Sequence, residues 1–396
     1  MATPDIAADD GVSRASWLYD PKIRGIVTQV VVFVALVVFV YWIVDNTVEN
    51  LRRANIASGF AFLGGRAGFD VSESLISFSS DSTFGRALLV GFLNTLLVAG
   101  LGILTATIIG FVVGIGRLSS NWLIRKICTV YGEVFRNIPP LLVIFFWYFG
   151  VLSALPEPRE STGFGFGIFV NNRGAYFPKP IWGEGAWLIL AALVVAVAMS
   201  IFVATAARRR QAQTGQQFPV FLTSLALIVG LPLLAFLVTG MPVTFEIPTK
   251  GTFNVTGGNS VTPQFMSLYL ALSFYTASFI AEIVRAGILG VSRGQTEASY
   301  ALGLRPGQAL RLVVIPQAMR IVIPPLTSQY LNLTKNSSLA VAVGFPDLVA
   351  IGGTILNQTG QSVEIVAIWM VVYLGLSLST SVFMNWFNAR MALVER

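Results

Sequence analysis

A short polar stretch interrupts an apolar segment of this sequence near position 330. Its candidate binding residues are Gln329, Asn332, Leu333, Lys335, Asn336 and Ser338. Four of them are spaced i, i+3, i+4 and i+7, so they share one face of a helix. Amide side chains donate and accept hydrogen bonds, so such a face can bind polar groups of either charge. We predict that this stretch lines a substrate cavity at an interface between subunits, although Lys335 could instead extend its ammonium to the membrane surface.

A second apolar segment, about 265–284, carries hydroxyl groups and an ion pair. Ser273 and Thr276 could line the same cavity, although hydroxyls in a membrane span more often bond to backbone carbonyls. Glu282 and Arg285 are spaced i, i+3 near the end of the segment. A charge at the centre of a membrane span costs about 2.5–3.5 kcal/mol on insertion scales, so the pair needs a role. We predict either a structural ion pair or a substrate gate.

The composition excludes most catalytic chemistry. The 396 residues contain no histidine and one cysteine, Cys128, which excludes His-based acid–base catalysis, zinc sites, Cys–His nucleophiles and intrachain disulfides. No G-x-x-x-x-G-K-[ST] phosphate loop occurs, so this chain does not bind ATP by that route. We therefore expect no metal, no cofactor and no enzymatic activity.

The same composition indicates an integral membrane protein. The chain is 55% hydrophobic and 11% charged, whereas soluble domains carry about 25% charged residues. The net charge of +7 is typical of basic cytoplasmic loops rather than of nucleic-acid binding. The second candidate span is rich in glycine, which favours close helix packing. Stretches of about 20 apolar residues predict eight spans, at about 26–44, 87–116, 141–155 (extended back through 127–138), 186–206, 218–238, 265–284, 321–343 and 363–384.

The basic residues predict the orientation of these spans. An even number of spans puts both termini on one side of the membrane. Most Lys and Arg, including the triplet Arg208–Arg210, fall in segments on the side of the N-terminus. By the positive-inside rule, we expect both termini to be cytoplasmic, in the inner membrane of a bacterium.

Residues 290–316 form a polar segment that is too patterned for an ordinary loop. Thr296–Leu302 can form a short helix, which Gly303 would end in a left-handed cap. A second helix over about Gln308–Val314 should stop at Pro316. Two short helices at the membrane surface present a compact shape to a partner, although a solvated amphipathic loop is the simpler interpretation.

The segment resembles a known signature. Glu297-Ala-Ser, then Gly303, then Ile315-Pro316 is similar to the EAA motif of ABC importer permease subunits, which is E-A-A, three residues, G, nine residues and I-x-L-P. Ser299, Val313 and Ile315 are mild departures from it. The resemblance implies that residues 290–316, the coupling loop, dock on an ATPase subunit. The residues implied in docking are Glu297, Ala298, Ser299, Gly303 and Leu304.

Three more stretches resemble the polar-amino-acid branch of that family. Thr276–Gly287 is similar to A-Y-x-A-E-I-x-R-G, and Phe135–Val143 to F-R-G-T-P-L-L-V-Q. Pro316–Ala318 and Asn332–Leu339 together resemble P-Q-A…N-L-L-K-D-T-S-L. The resemblance implies an all-α membrane fold, a type I ABC importer (MetI-like) core of five spans with three added spans. This longer form resembles the permease subunits of general L-amino-acid importers.

The predicted spans and motifs divide the chain into four parts. Residues 1–82 hold the N-terminal tail, the first span and an outer segment, and 83–155 hold the first part of the permease core. Residues 156–263 hold inserted outer loops and two added spans, and 264–396 hold the rest of the core with the coupling loop. We expect the outer segments at about 45–85, 156–185 and 239–263 to be structured loops or short amphipathic pieces.

The resemblance also implies the function and the partners. An ABC ATPase homodimer would drive alternating access, a homologous companion permease would complete a heterodimer, and a periplasmic binding protein would deliver L-amino acids. Lipid would surround the spans, and no nucleic acid is expected. The family often has carboxylates where this chain has Gln329 and Asn336, so we expect broad or neutral selectivity. The alternative is a stand-alone secondary amino-acid transporter, which predicts more intramembrane acids than Glu282.

Overall fold

The computed structural model describes residues 21–53, 59–251 and 253–391. Seven of the helices in these ranges are long and apolar enough to cross a membrane, and a bent pair makes eight if it is counted as one span. The predicted all-α membrane architecture is therefore confirmed. The long helices are α1 (Pro21–Arg53), α2 (Phe84–Gly116), α5 (Trp187–Thr214), α6 (Val220–Val238), α7 (Pro263–Leu289), α10 (Ile315–Asn336) and α12 (Ser362–Met391).

Shorter helices complete the described ranges. They are α3 (Trp122–Asn137), α4 (Pro140–Phe145, extended by a π-helix over Phe146–Leu152), α8 (Arg293–Ala301), α9 (Pro306–Ala309) and α11 (Leu348–Thr359), with 3-10 turns at Phe60–Gly64, Pro158–Glu160 and Ser337–Val343. The sequence analysis did not identify α11, because its 12 residues are too few to span a membrane.

The third predicted span is bent rather than continuous. The predicted backward extension through 127–138 is helical, but the axes of α3 and the following helical segment meet at 111°, so the two pieces form a broken span or a re-entrant loop. The break falls at Ile138, whose extended backbone (φ −105°, ψ 133°) is the conformation favoured before the Pro139 ring. The α3 side of the break remains attached to the core through Tyr131, whose hydroxyl donates to the Phe274 carbonyl at 2.6 Å.

The core lies where α2, α7 and α10 pack together. Leu272 and Ile280 of α7 and Leu333 of α10 are fully buried there. Glycines on α2 permit the close approach, because a Cβ at Gly110 would meet Ile280 at 2.5 Å and one at Gly114 would meet the Ala281 carbonyl oxygen at 2.7 Å. The close packing predicted for the glycine-rich span is confirmed at these two positions.

Short strands form a small β-module on the side of the molecule from which α5 and α6 project. A four-stranded antiparallel sheet has the order β1-β2-β3-β8, and two-stranded ribbons pair β4 with β5 and β6 with β7. The strands are β1 (Thr162–Gly163), β2 (Phe169–Asn171), β3 (Gly174–Phe177), β4 (Lys179–Trp182), β5 (Val243–Glu246), β6 (Thr249–Lys250), β7 (Val255–Thr256) and β8 (Asn259–Val261). The inserted outer segments therefore contain paired strands, where loops or amphipathic pieces were expected.

The three added spans pack little against the core. No residue of α6 is buried, and the apolar window of α1 is 0% buried. α5 packs chiefly on α6. The α5 helix also continues through Arg208–Arg210 to Thr214, beyond the predicted end near 206. The N-terminal tail, residues 1–20, and residues 392–396 lie outside the described residues.

Candidate coupling loop and substrate face

The coupling loop begins with helix α8, whose C-terminal cap follows the predicted pattern. Gly303 has φ +77°, the left-handed conformation that glycine adopts without steric cost. The Gly303 N–H donates to the Tyr300 carbonyl at 2.9 Å, and the Leu304 N–H donates to the Ser299 carbonyl at 3.1 Å. These bonds satisfy carbonyls at the end of α8 and turn the chain sharply toward α9.

The second half of the coupling loop differs from the prediction. A helix does not end at Pro316, because α9, a π-helical turn at Leu310–Val314 and α10 follow one another without a break. Pro316 has no N–H to donate, and the wider π-helical turn ahead of it accommodates the missing hydrogen bond. The loop is therefore joined rigidly to the span that carries the polar stretch.

The outer surface of α8 is open. Glu297 and Ala298 are exposed, and Leu302 is 82% exposed. Ser299 faces inward and is 2% exposed, with its hydroxyl donating to the Thr296 carbonyl at 2.7 Å. Sequence reasoning did not single out Leu302, because the motif as quoted leaves the three residues before Gly303 unspecified.

Helix α8 follows α7 after a three-residue linker and contacts the start of α10. The Gln317 amide at the start of α10 donates to the Gln295 side chain at 3.2 Å. A cavity of about 280 Å³ under α8 is lined by the end of α7, including Leu289, and by Tyr300 and Val314. A displacement of α8 would therefore move α7 and α10 together.

Glu282 lies in a larger ion cluster than the predicted pair. Its carboxylate contacts the guanidinium of Arg285 at 2.5 Å, of Arg117 at 2.6 Å and of Arg136 at 3.4 Å. Glu133 joins the same arginines, at 2.8 Å from Arg136 and 3.6 Å from Arg117. The cluster ties the end of α2, helix α3 and α7 together. Sequence reasoning missed Arg117 and Arg136, although the predicted topology put both on the same membrane side as Arg285.

The polar stretch of α10 is divided between two faces of the helix. Ser328, Asn332 and Lys335 are exposed and spaced i, i+4 and i+7, so they form one face, named here the polar face. Gln329 and Asn336 are half-buried at its edge. No described residue forms a salt bridge with Lys335.

Of the other predicted cavity residues, Leu333, Ser273 and Thr276 are buried rather than exposed on the polar face, and Ser338 follows Lys335 by three residues. Leu333 is fully buried against Gly102 of α2. The Ser338 hydroxyl donates to the Lys335 carbonyl at 2.8 Å. Ser273 and Thr276 of α7 are buried, at 0% and 2% exposed, and the Ser273 hydroxyl has no hydrogen-bond partner among the described residues. The structure therefore groups Asn332 and Lys335 but separates them from the α7 hydroxyls.

Comparisons with known proteins match both the second half of the chain and nearly its whole length. Residues 209–393 match the family described as "Binding-protein-dependent transport system inner membrane component". The chain is 67% identical over 386 residues to the "General L-amino acid transport system permease protein AapQ" of Rhizobium johnstonii, covering 98% of this chain and 96% of that protein.

Two further relatives extend the likeness. The chain is 48% identical to the "Putative amino-acid ABC transporter permease protein YhdX" of Escherichia coli, over 95% of this chain and 96% of that protein. It is 42% identical to the "Glutamate/glutamine/aspartate/asparagine transport system permease protein BztB" of Rhodobacter capsulatus, over 98% of both chains. These likenesses cover the inserted β-module and the added spans as well as the coupling loop.

Proposed function

The chain belongs to the family of binding-protein-dependent transport system inner membrane components, and on that premise we propose how its residues divide the work of transport. It is a membrane-spanning permease subunit of an amino-acid ABC importer. The alternative of a stand-alone secondary transporter is not favoured, because relatives that cover nearly the whole chain are named as permeases of transport systems.

The coupling loop transmits force from a separate ATPase homodimer. The observation that carries this proposal is the open surface of α8, with Glu297, Ala298 and Leu302 exposed on a helix attached to two spans. Ser299, which is buried, positions α8 and does not touch the partner. Gly303 and Leu304 fix the turn that follows. In this arrangement, closure of the ATPase on its nucleotide moves α7 and α10 together.

The polar face of α10 borders the substrate path. An exposed lysine and amide on a span are costly against lipid, so this face is best satisfied by a second permease subunit or by the water-filled path between two subunits. We propose that the second subunit on this face is a homologous permease. Gln329 and Asn336, at the edge of the same face, then contact the side chain of the transported amino acid and contribute to selectivity.

The amino acids carried are of broad range, and a periplasmic binding protein delivers them. The names of the relatives support breadth, since one covers general L-amino acids and another covers two acids and their amides. The amides at Gln329 and Asn336 support it as well, because they impose no charge on the ligand. With both termini cytoplasmic, the coupling loop faces the ATPase and the β-module faces the binding protein.

The ion cluster around Glu282 closes the path on the coupling-loop side. Three arginines converge on one carboxylate and join α2, α3 and α7. Alternating access requires these helices to separate at one end of the path and to meet at the other. The ion cluster stabilises the conformation in which α2, α3 and α7 are in contact at the coupling-loop end, through several charge-assisted hydrogen bonds.

The decisive experiment is affinity purification of the assembled transporter through a tag on this chain, followed by mass spectrometry and an uptake assay. We expect a stoichiometric ATPase subunit in the wild type. Leu302→Asp, which replaces an exposed apolar contact by a charge, should lose the ATPase and lower uptake at least about tenfold.

The matched control is Leu75→Asp, which puts the same charge on an exposed leucine in the loop ahead of α2. It should retain the ATPase. A chain that purifies without an ATPase and transports without ATP would overturn the coupling proposal. Retention of the ATPase by Leu302→Asp would restrict the docking surface to residues other than Leu302.

A further inference from the structure

A cavity of about 550 Å³ lies apart from the coupling loop and the polar face. It opens where the loop before α2, the side of α2 and the junction between β8 and α7 meet, and Glu73, Asn94 and Thr262 are among its lining residues. The volume falls within the range of about 300–1,000 Å³ that is usual for sites of small molecules. Nothing in the transport mechanism uses this cavity.

Two hydrogen-bond systems build the polar wall of the cavity. The Thr262 N–H donates to the Glu73 carboxylate at 2.9 Å, which ties the loop to the start of α7. The Asn94 amide, 1% exposed, donates to the carbonyls of Glu73 and Pro346, each at 2.9 Å. The loop, α2 and the turn before α11 are therefore held together around the cavity.

The charge of the cavity points to a cation. Glu73 is the one ionisable residue among its lining residues, and no lysine or arginine lines it. An ionised carboxylate offers about four acceptor positions, and the Thr262 N–H fills one of them. Burial raises the pKa of Glu73 above its ordinary value of 4.5. A bound ammonium would oppose that burial and favour the ionised carboxylate.

The other half of the cavity is apolar and continues along α2. Leu97, Leu101 and Phe265 line it. Below it on the same face of α2, Leu104 is 60% exposed and Ile108 is 58% exposed, and Leu101 is 41% exposed. The spacing of these residues makes a continuous apolar strip that leads from the cavity toward the middle of the membrane.

The ion cluster gives the depth of the cavity in the membrane. Arg117 and Glu282 are in contact at the coupling-loop end. Because charges are costly inside the hydrocarbon, we place one of its boundaries at this pair. A span of about 20 residues crosses the hydrocarbon. Counting back about 20 positions from Glu282 on α7 reaches Thr262, which caps the start of α7 and lines the cavity beside Leu97 of α2. The cavity therefore lies at the headgroup level of the opposite membrane face.

We propose that this cavity binds the primary ammonium headgroup of a phospholipid, of which phosphatidylethanolamine is the probe. The ammonium contacts the Glu73 carboxylate, and one acyl chain lies on the strip formed by Leu101, Leu104 and Ile108. The hydroxyls of Ser72 and Ser260, which line the cavity and are exposed, donate to the lipid phosphate. The proposal depends on the membrane placement of α2 and α7 and not on the roles assigned to the coupling loop.

Native mass spectrometry of the delipidated, assembled transporter tests this proposal. The transporter is titrated separately with phosphatidylethanolamine and with phosphatidylglycerol of the same acyl chains. We expect one phosphatidylethanolamine per copy of this chain, bound about tenfold more tightly than phosphatidylglycerol, which is the effect of one charge-assisted hydrogen bond. Glu73→Gln should remove the preference, and Leu101→Trp should weaken binding by filling the apolar half.

Matched variants separate the site from the general lipid surface. Glu184→Gln removes an exposed carboxylate that does not line the cavity, and Leu374→Trp alters an exposed apolar position on α12. Both should bind the lipid as the wild type does. Equal binding of the two lipids, or a preference that survives both Glu73→Gln and Leu101→Trp, would overturn the proposal.

A soluble competitor decides the source of the ammonium. Glycerophosphoethanolamine carries the same headgroup without acyl chains and should compete poorly, because the apolar strip contributes through the chain. Competition as strong as that of the intact lipid would show a site for soluble amines and overturn the lipid assignment. Loss of the ATPase in the purified transporter would contradict the coupling proposal alone and leave this result unaffected.

Discussion

Helices α7 and α6 are both apolar spans, yet they relate to the rest of the protein in opposite ways. The most apolar window of α7 is 61% buried, and hydroxyl groups at Ser267, Ser273 and Thr276 are buried with it. α6 has no buried residue, although its window is more hydrophobic than that of α7. Hydrophobicity alone therefore does not identify the working part of a membrane protein. The less apolar span carries the polar groups, because neighbouring helices remove them from lipid.

The largest expected effect is on packing at glycines, one in the core on α2 and one on α6. Gly114→Leu on α2 should greatly reduce the amount of folded protein, because its Cβ would lie 2.7 Å from the Ala281 carbonyl oxygen and 2.8 Å from Val284. Gly230→Leu on α6 has nothing within 4 Å of its Cβ and should be tolerated. Size-exclusion chromatography of tagged protein in detergent measures the difference. Equal losses would show that α6 packs as tightly as the core.

A smaller effect is expected when an ion pair of the core is compared with one on an added span. Glu282→Gln leaves Arg117, Arg136 and Arg285 together without their shared carboxylate, and Arg117 is 9% exposed. We expect a loss of about 1–3 kcal/mol in the free energy of unfolding. Glu49→Gln breaks the exposed pair with Arg53 on α1 and should cost below about 0.5 kcal/mol. Thermal unfolding of the two purified variants compares them, and similar shifts would contradict a structural role for the cluster.

The next effect is on selectivity rather than on stability. Gln329→Glu puts a charge at the edge of the polar face and should raise the uptake of arginine relative to glutamine about fivefold, since an ionic contact there contributes on the order of 1 kcal/mol. Gln216→Glu, in the exposed turn between α5 and α6, should leave the ratio unchanged. Competitive uptake of the two labelled amino acids gives the ratio. An unchanged ratio in Gln329→Glu would show that this residue does not read side chains.

The smallest effect compares two left-handed glycines. Gly303 in the coupling loop has φ +77°, and Gly215 at the end of α5 has φ +72°. Valine at either position costs about 1–2 kcal/mol of local backbone energy. Gly303→Val should lower substrate-stimulated ATP hydrolysis, because the turn sets the angle of α8, while Gly215→Val should not. Gly303→Asn, which tolerates this conformation, should restore most of the hydrolysis.

Much of the membrane topology could be predicted from the sequence, because about 20 consecutive apolar residues have few alternatives to spanning a membrane. The cap at Gly303 was predictable for a similar reason, since the spacing of glycine after a short helix is a local signal. Neither prediction required knowledge of distant contacts.

Other features depend on contacts that a sequence pattern does not contain. Pro316 was expected to end a helix, but a π-helical turn ahead of it lets the helix continue. The strands of the β-module are two to four residues long, too short for an alternating pattern to identify. Leu333 shares the spacing of the polar stretch yet faces the core, because Gly102 leaves room for it there. The contacts of Glu282 with Arg117 and Arg136 join residues that are far apart in the chain.

The pairing of β4 with β5 has a consequence for the architecture of the gene. Trp182 pairs with Val243, and the Gly183 N–H donates to the Pro242 carbonyl at 2.7 Å, so the chain leaves for α5 and returns from α6 at adjacent points. The segment between 183 and 242, which contains α5 and α6, therefore begins and ends at neighbouring positions in the structure. A shortened reading frame that joins 183 to 242 through a two-residue turn would close β4 and β5 as an ordinary β-hairpin. Such a chain would keep the core, the coupling loop and the headgroup-level cavity, and would show what the two additional membrane crossings provide.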